Sequence, residues 1–81
     1  MTIRVKLFAI LRDKAGVAET PIELRAGATV ADAIESVAAR HPDLRPYLGR
    51  AAAAVNLSRT ANETVLQDND ELALLPPVSG G

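Results

Sequence analysis

Ile3-Arg4-Val5-Lys6-Leu7-Phe8 is the stretch on which the architecture turns. Ile3, Val5 and Leu7 fall on one face, and Arg4, Lys6 and Phe8 on the other. That two-residue alternation is the mark of a half-buried strand. A strand that is apolar on one side only needs a second layer to cover it. Reading toward the C-terminus, Ala9 to Lys14 suits one or two helical turns, closed by Gly16. Thr20, Ile22 and Leu24 alternate with Pro21, Glu23 and Arg25 as a second strand. Pro21 has no N–H to donate, so this strand is expected at a sheet edge or with its proline at the start.

The covering layer follows the turn Ala26-Gly27-Ala28. Thr29 is placed to cap a helix, with Asp32 three residues on as its acidic partner in the first turn. Val30, Ile34, Val37 and Ala38 form a stripe at helical spacing, while Asp32, Glu35, Ser36 and Arg40 face away. His41-Pro42 ends the helix, because a residue before proline is pushed out of the α region. Asp43 to Arg50, with Pro46 and Gly49, reads as irregular. Ala51 to Leu57 is expected as a strand, Ser58 to Asn62 as a polar loop and Glu63 to Leu66 as a short strand. Asp68-Asn69-Asp70 is a turn in which Asn69 can take a left-handed conformation. Glu71 to Leu75 is the last strand, with Leu72 and Leu74 on one face and Ala73 and Leu75 on the other. Strands in hairpin-like runs with one main helix laid across them give an α+β fold.

Composition narrows the function. The chain has 81 residues, enough for one small domain, and a formal net charge of -1. That balance argues against a generic nucleic-acid binder, which carries a basic excess. Fifteen alanines and ten leucines stand against one Phe, one Tyr and no Trp, so the core is aliphatic and no base-stacking platform is expected. The absence of cysteine removes disulfides, thiol catalysis and thiolate metal sites. No window approaches the roughly 20 apolar residues of a membrane span, and the N-terminus alternates instead of forming a signal core, so the cytoplasm is expected. The lone His41 reads as a charge at a helix end, and Asp68 and Asp70 as turn caps with no metal role.

The most informative residues are the last six, Pro76-Pro77-Val78-Ser79-Gly80-Gly81. Two prolines favour an extended course, and two glycines lack the Cβ that would bar a narrow passage. The chain thus divides into a domain over 1–75 and an extended tail over 76–81. A carboxylate on such an arm can enter another protein's pocket. The alternative is an inert frayed end.

Taken with Val5-Lys6-Leu7-Phe8-Ala9, Val55-Asn56 and Asp70-Glu71-Leu72-Ala73-Leu74-Leu75, this tail resembles that of the molybdopterin synthase small subunits, which are ubiquitin-like sulfur carriers. The likeness spans the whole chain, and the closing Pro-Pro-Val-Ser-Gly-Gly is its most specific part. Asn69 stands where the family often has glycine, and Leu74 and Leu75 where it tends to have aromatics. The resemblance implies a β-grasp (ubiquitin-like) topology: a mixed sheet whose first and last strands lie parallel at its centre, with the main helix packed across it.

For function, the resemblance implies that Gly81 carries the reacting group. Its carboxylate is adenylylated by an ATP-using activating enzyme, and a sulfur donor enzyme converts the adenylate to a thiocarboxylate. The large subunit of the synthase then uses that sulfur on a cyclic pyranopterin precursor to form the molybdopterin dithiolene. This chain has no phosphate loop of its own, so ATP belongs to the partner and no cofactor is bound here. On this reading the chain is a non-catalytic, sulfur-donating subunit. Parity adds that Phe8 and Leu75 form an apolar patch at the root of the tail if their strands are adjacent. Phe8, Leu75, Pro76, Pro77, Val78, Ser79 and Gly80 are the expected partner contacts. The open alternatives are a sulfur carrier for thiamine, thionucleoside or amino-acid biosynthesis, a ubiquitin-like protein modifier joined through Gly81 to a lysine, and an adaptor with an inert tail.

Overall fold

The computed structural model describes residues 1–76. Strand β1 (Thr2–Leu7) is followed by α1 (Ile10–Ala15), β2 (Glu19–Glu23) and α2 (Val30–Arg40). A 3-10 turn over Pro42–Leu44 leads into α3 (Arg45–Leu48), and β3 (Ala52–Val55), β4 (Ser58–Thr60) and β5 (Glu71–Leu75) complete the fold. The strands form one sheet in the order β2-β1-β5-β3-β4. β1 and β5 run parallel, with Val5 opposite Leu72 and Leu7 opposite Leu74. The remaining pairings, β1 with β2, β3 with β4 and β3 with β5, are antiparallel. This is the mixed sheet expected from the resemblance. β2 lies at an edge, where Pro21 takes no donor out of an interior ladder.

The inward residues of the sheet, Ile3, Val5, Leu7, Ile22, Ala53, Leu72 and Leu74, are buried against Val30, Ala33, Val37 and Ala38 of α2. The helix begins where Thr29 Oγ1 accepts from the Asp32 N–H at 3.3 Å and the Asp32 carboxylate accepts from the Thr29 N–H at 2.9 Å, a reciprocal cap. It ends at His41, whose N–H still donates to the Val37 carbonyl before Pro42 breaks the pattern. Asn69 adopts φ 69° in the turn before β5. No helix among the described residues is long and apolar enough to cross a membrane.

Three segments depart from the sequence-level expectation. Ser58–Thr60, expected in a loop, is strand β4. Asn56 and Leu57 take φ values of 49° and 74°, a two-residue turn whose twist suits adjacent strands, so the chain reverses at once and its polar residues form an edge. Glu63–Leu66, expected as a strand, makes one isolated bridge from Val65 to Thr29. It is tied to the helix entrance: Val30 N–H donates to Thr64 O and Leu66 N–H to Ala28 O, both at 2.9 Å. Asp43–Arg50, expected to be irregular, contains the short turns that bury Leu44 and Leu48. Two prolines at first-turn positions are compatible with helix starts, and the apolar spacing there is too short to register as a periodic stripe.

Removing the cap should show its worth: Thr29→Ala is expected to cost about 1 kcal/mol in urea unfolding. The backbone N–H of Thr29 holds the Asp32 carboxyl below its ordinary value, opposed by some desolvation and helped by the Thr29 hydroxyl and Arg25. A depressed folded-state value means that this stabilisation is complete above the unfolded carboxylate range of about 4 and is lost as pH falls through the lower folded value. Asp32→Asn should therefore flatten the acid side of the stability profile and leave the alkaline side unchanged. At the hairpin, Leu57 is 88% exposed and left-handed. Leu57→Gly should raise stability by up to about 1 kcal/mol, the relief of strain exceeding the entropy that glycine adds to the unfolded chain.

Candidate functional site: the outer sheet face at the tail root

One face of the sheet meets the helix, and the other is open. Its side chains follow from parity: Glu19, Pro21 and Glu23 of β2, Arg4 and Lys6 of β1, Glu71, Ala73 and Leu75 of β5, and Ala52 and Ala54 of β3. Phe8 continues this parity one residue beyond β1. The β1–β5 register, carried one step past Leu7 opposite Leu74, sets Phe8 level with Leu75. Phe8 is 40% exposed and Leu75 37% exposed, so α1 does not cover them.

The row does not stop there. Leu7 N–H donates to Ala18 O at 2.8 Å, which carries the β1–β2 pairing past its last strand residues and brings Val17 alongside Phe8. Ala52 pairs with Leu75 on the other side. Val17 and Phe8, just outside β2 and β1, thus join Leu75 of β5 and Ala52 of β3 in an apolar band at the end of the sheet from which the tail departs. Val17 is itself 41% exposed. Behind the band, Ala73 and Ala54 sit side by side, so the floor of the face is low and a partner can approach closely. A shallow depression of about 240 Å3 opens beside Phe8, lined by Lys6, Leu7, Phe8, Arg12, Ala18 and Glu19.

Polar contacts hold this surface from the opposite end. Lys6 Nζ lies 3.1 Å and Arg4 Nη1 4.0 Å from Glu71 Oε1, which ties β1 to the first residue of β5. Asn56 donates through Nδ2 to Asp70 Oδ1 at 2.9 Å and accepts from the Glu71 N–H at 3.0 Å. Asp70 accepts from the Gln67 N–H at 2.8 Å, the turn-capping role expected of it, whereas Asp68 accepts from the Thr2 N–H at 2.8 Å and ties the turn to the start of β1 instead. β5 is therefore clamped where it begins and laddered on both sides, and it ends at Leu75 with Pro76 half-buried beyond it. Among the described residues no group of acidic or histidine side chains is arranged to hold a metal ion.

Of the expected site residues, Phe8, Leu75 and Pro76 fall within the described part. Pro77, Val78, Ser79, Gly80 and Gly81 lie outside the described residues. Sequence reasoning missed Val17 and Ala52. Val17 follows a glycine in a connection, where parity has no strand to refer to, and only the pairing of β1 with β2 reveals its place.

The ThiS family profile matches residues 5–81. The chain belongs to the ThiS family. The molybdopterin synthase sulfur carrier subunit of Chlamydomonas reinhardtii is 39% identical over 83 residues, covering all of both chains, which bears out the resemblance read from the motifs. The crystal structure of SAMP1, a small archaeal modifier protein from Haloferax volcanii, superposes with a TM-score of 0.88 at 32% identity, covering all of both chains. A chain of the complex of subunits 1 and 2 of the molybdopterin-converting factor from Helicobacter pylori gives a TM-score of 0.70 at 26% identity, again over all of both chains.

Within the ThiS fold seen here, the apolar band has a direct test of its structural independence. Phe8→Asp and Val17→Asp replace exposed side chains, so each is expected to change the unfolding free energy from urea titration little, within about 0.5 kcal/mol. Leu74→Asp, one residue away but fully buried, should unfold the domain.

Proposed function

We propose that this chain is the sulfur carrier subunit of a molybdopterin synthase. The observation that carries the reading is the apolar band of Val17, Phe8, Leu75 and Ala52, set at the point where a chain ending in Pro-Pro-Val-Ser-Gly-Gly leaves the sheet. A band of this kind gives the domain a place to dock, and the glycines beyond it let a terminal acyl group pass where side chains would not. The full-length likeness to a molybdopterin synthase carrier supports the pathway, and the Helicobacter pylori complex supports docking on a second subunit.

The chemistry follows from the group at Gly81. A carboxylate resists nucleophiles, so it first attacks the α-phosphorus of ATP in the activating enzyme, giving an acyl adenylate and pyrophosphate. Sulfide released by the sulfur donor then attacks the acyl carbon and displaces AMP, and loss of its proton leaves a thiocarboxylate. In the large subunit this sulfur is transferred to the cyclic pyranopterin precursor, and water returns Gly81 to the carboxylate. One carrier brings one sulfur, so a dithiolene takes two loaded carriers in turn. The carrier itself contributes delivery: Phe8, Val17, Leu75 and Pro76 seat the domain, while Pro77, Val78, Ser79 and Gly80 span to Gly81. The work is done in the cytoplasm, with ATP and the sulfur donor held by the partner enzymes.

Reconstitution tests this. Gly81-thiocarboxylate chain, the large subunit and the pterin precursor should yield the dithiolene, and intact mass should show sulfur exchanged for oxygen before transfer and the reverse after it. No product with a competent large subunit would sink the assignment to this pathway. Phe8→Asp should weaken assembly with that subunit by tenfold or more, about 1.4 kcal/mol, with the far-UV spectrum unchanged.

A second reading is favoured by one observation, the TM-score of 0.88 to a small archaeal modifier protein. On that reading the activated Gly81 acylates a lysine amine of a target, releasing AMP and a proton. The mass of the product separates the two: a modifier adds its whole chain to the target, whereas a carrier returns unchanged. Deleting Gly81 abolishes both activities and leaves an inert adaptor unaffected.

A further inference from the structure

The pairing of β2 leaves one set of its backbone groups facing outward. Leu24 N–H donates to Met1 O at 2.9 Å, the Met1 ammonium donates to Leu24 O at 2.7 Å, and Leu7 N–H donates to Ala18 O. Bonded residues alternate in an antiparallel ladder. Ala18, Thr20, Ile22 and Leu24 therefore serve β1, while Glu19, Pro21 and Glu23 turn their backbone groups to the edge. Such an edge is a template for another strand. Its middle position is shut twice. Pro21 has no N–H to give, and its carbonyl accepts from Arg40 Nη1. Arg40 is the last residue of α2 and reaches Pro21 across a groove of about 500 Å3 that Ile22, Glu23, Ser36 and Ala39 also line. It makes no ion pair among the described residues, so its guanidinium is committed to a neutral carbonyl although Glu23 lines the same groove. The opposite edge is short. Asn56 N–H donates to Glu71 O, so Ala52, Ala54 and Asn56 serve β5 and Ala53 and Val55 serve β4, and within Ser58–Thr60 only Arg59 faces outward.

We propose that Arg40 is a guard on the β2 edge, which keeps the sheet from growing by pairing with β2 of a second copy. Pro21 removes a donor, but its carbonyl is still an acceptor for an N–H of an incoming strand, and Arg40 takes that acceptor. Two copies of β2 can meet antiparallel about a two-fold axis at Pro21, which sets Glu19 of one copy opposite Glu23 of the other. With that axis normal to the sheet, both helices lie on one side and the two Arg40 side chains come together near the axis. Pairing then requires each Pro21 carbonyl to leave its guanidinium, brings two cations together, and sets carboxylates face to face on the outer side. A second sheet beside β2 would also stand next to Val17 and crowd one end of the apolar band, so the guard leaves that band open. The inference concerns this edge alone and holds for a carrier and a modifier alike.

Sedimentation velocity from micromolar to millimolar concentration, joined to amide hydrogen exchange, tests this with the full chain. Wild type should stay monomeric. Pro21→Thr/Glu23→Lys restores the donor and turns both carboxylate contacts into opposite-charge pairs, and it should dimerise weakly. Adding Arg40→Ala should tighten that dimer about tenfold or more, the order expected for freeing a charged hydrogen bond. Exchange at the amides of residues 19, 21 and 23 should then slow as concentration rises, with Ser58–Thr60 unchanged. Arg45→Ala, at another exposed arginine on the helical side, should add nothing. Pro21, Glu23 and Arg40 are exposed too, and far-UV spectra with urea titrations check that each variant is folded. Should the triple variant not fold, Arg40→Ala alone is compared with wild type for binding of a synthetic 18–24 peptide carrying Pro21→Thr and Glu23→Lys, and the same gain of about tenfold is expected. No gain from Arg40→Ala, an equal gain from Arg45→Ala, protection placed at β4 or along the apolar band, or wild type pairing through residues 19–23 would each overturn the proposal.

Discussion

The parallel pairing of β1 with β5 is the interaction on which the rest of the molecule depends. It joins strands from the two ends of the chain, and a parallel pair cannot be closed by a tight turn. The intervening chain must therefore cross over, and α2 is the element that does so while covering the inner face. Val5, Leu7, Leu72 and Leu74, the pairs at the centre of this ladder, have at most 1% of their surface exposed. The same register that buries those four sets Phe8 beside Leu75 on the opposite face. Burial and the exposed apolar band are thus two consequences of one alignment, and a one-residue slip would exchange them.

Two local devices keep the surface open. Ala9 takes φ 51°, and the Leu11 N–H closes back onto Phe8 O at 3.0 Å, so the chain leaves the sheet immediately after Phe8. α1 then ends at Gly16 with φ 78° and delivers Val17 into the row. At the far end, Asn56 and Asp70 lock the hairpin to the start of β5. The strand is held firmly where it enters and departs from the sheet at Leu75. For a carrier, that arrangement fixes the origin of the tail without occupying the tail itself.

Much of this was legible in the residues. The alternation in Ile3–Phe8 and Glu71–Leu75, the Thr29–Asp32 cap, the stop at His41-Pro42, the edge position of Pro21 and the left-handed Asn69 all rest on chemistry within a few residues, and all appear in the fold. The errors fell where local pattern is silent or misleading. Ser58-Arg59-Thr60 is polar because it is an edge, and Leu57 occupies a turn position that glycine usually signals, so the hairpin had no recognisable mark. Thr64-Val65-Leu66 has strand-like residues but spends its backbone bonds on the helix entrance. The exposed positions of Phe8 and Leu75 on one face followed from parity, whereas nothing in the residues placed Val17 and Ala52 beside them.

Taken alone, the residues determined which faces are apolar, where the helix starts and stops, and that the chain closes in prolines and glycines, because each is a short-range property of backbone sterics and side-chain polarity. Only the tertiary structure decided which strands lie side by side, and through that the four-residue apolar band. Strand order depends on the total apolar surface removed from water by the whole sheet and helix together, a quantity no short window contains.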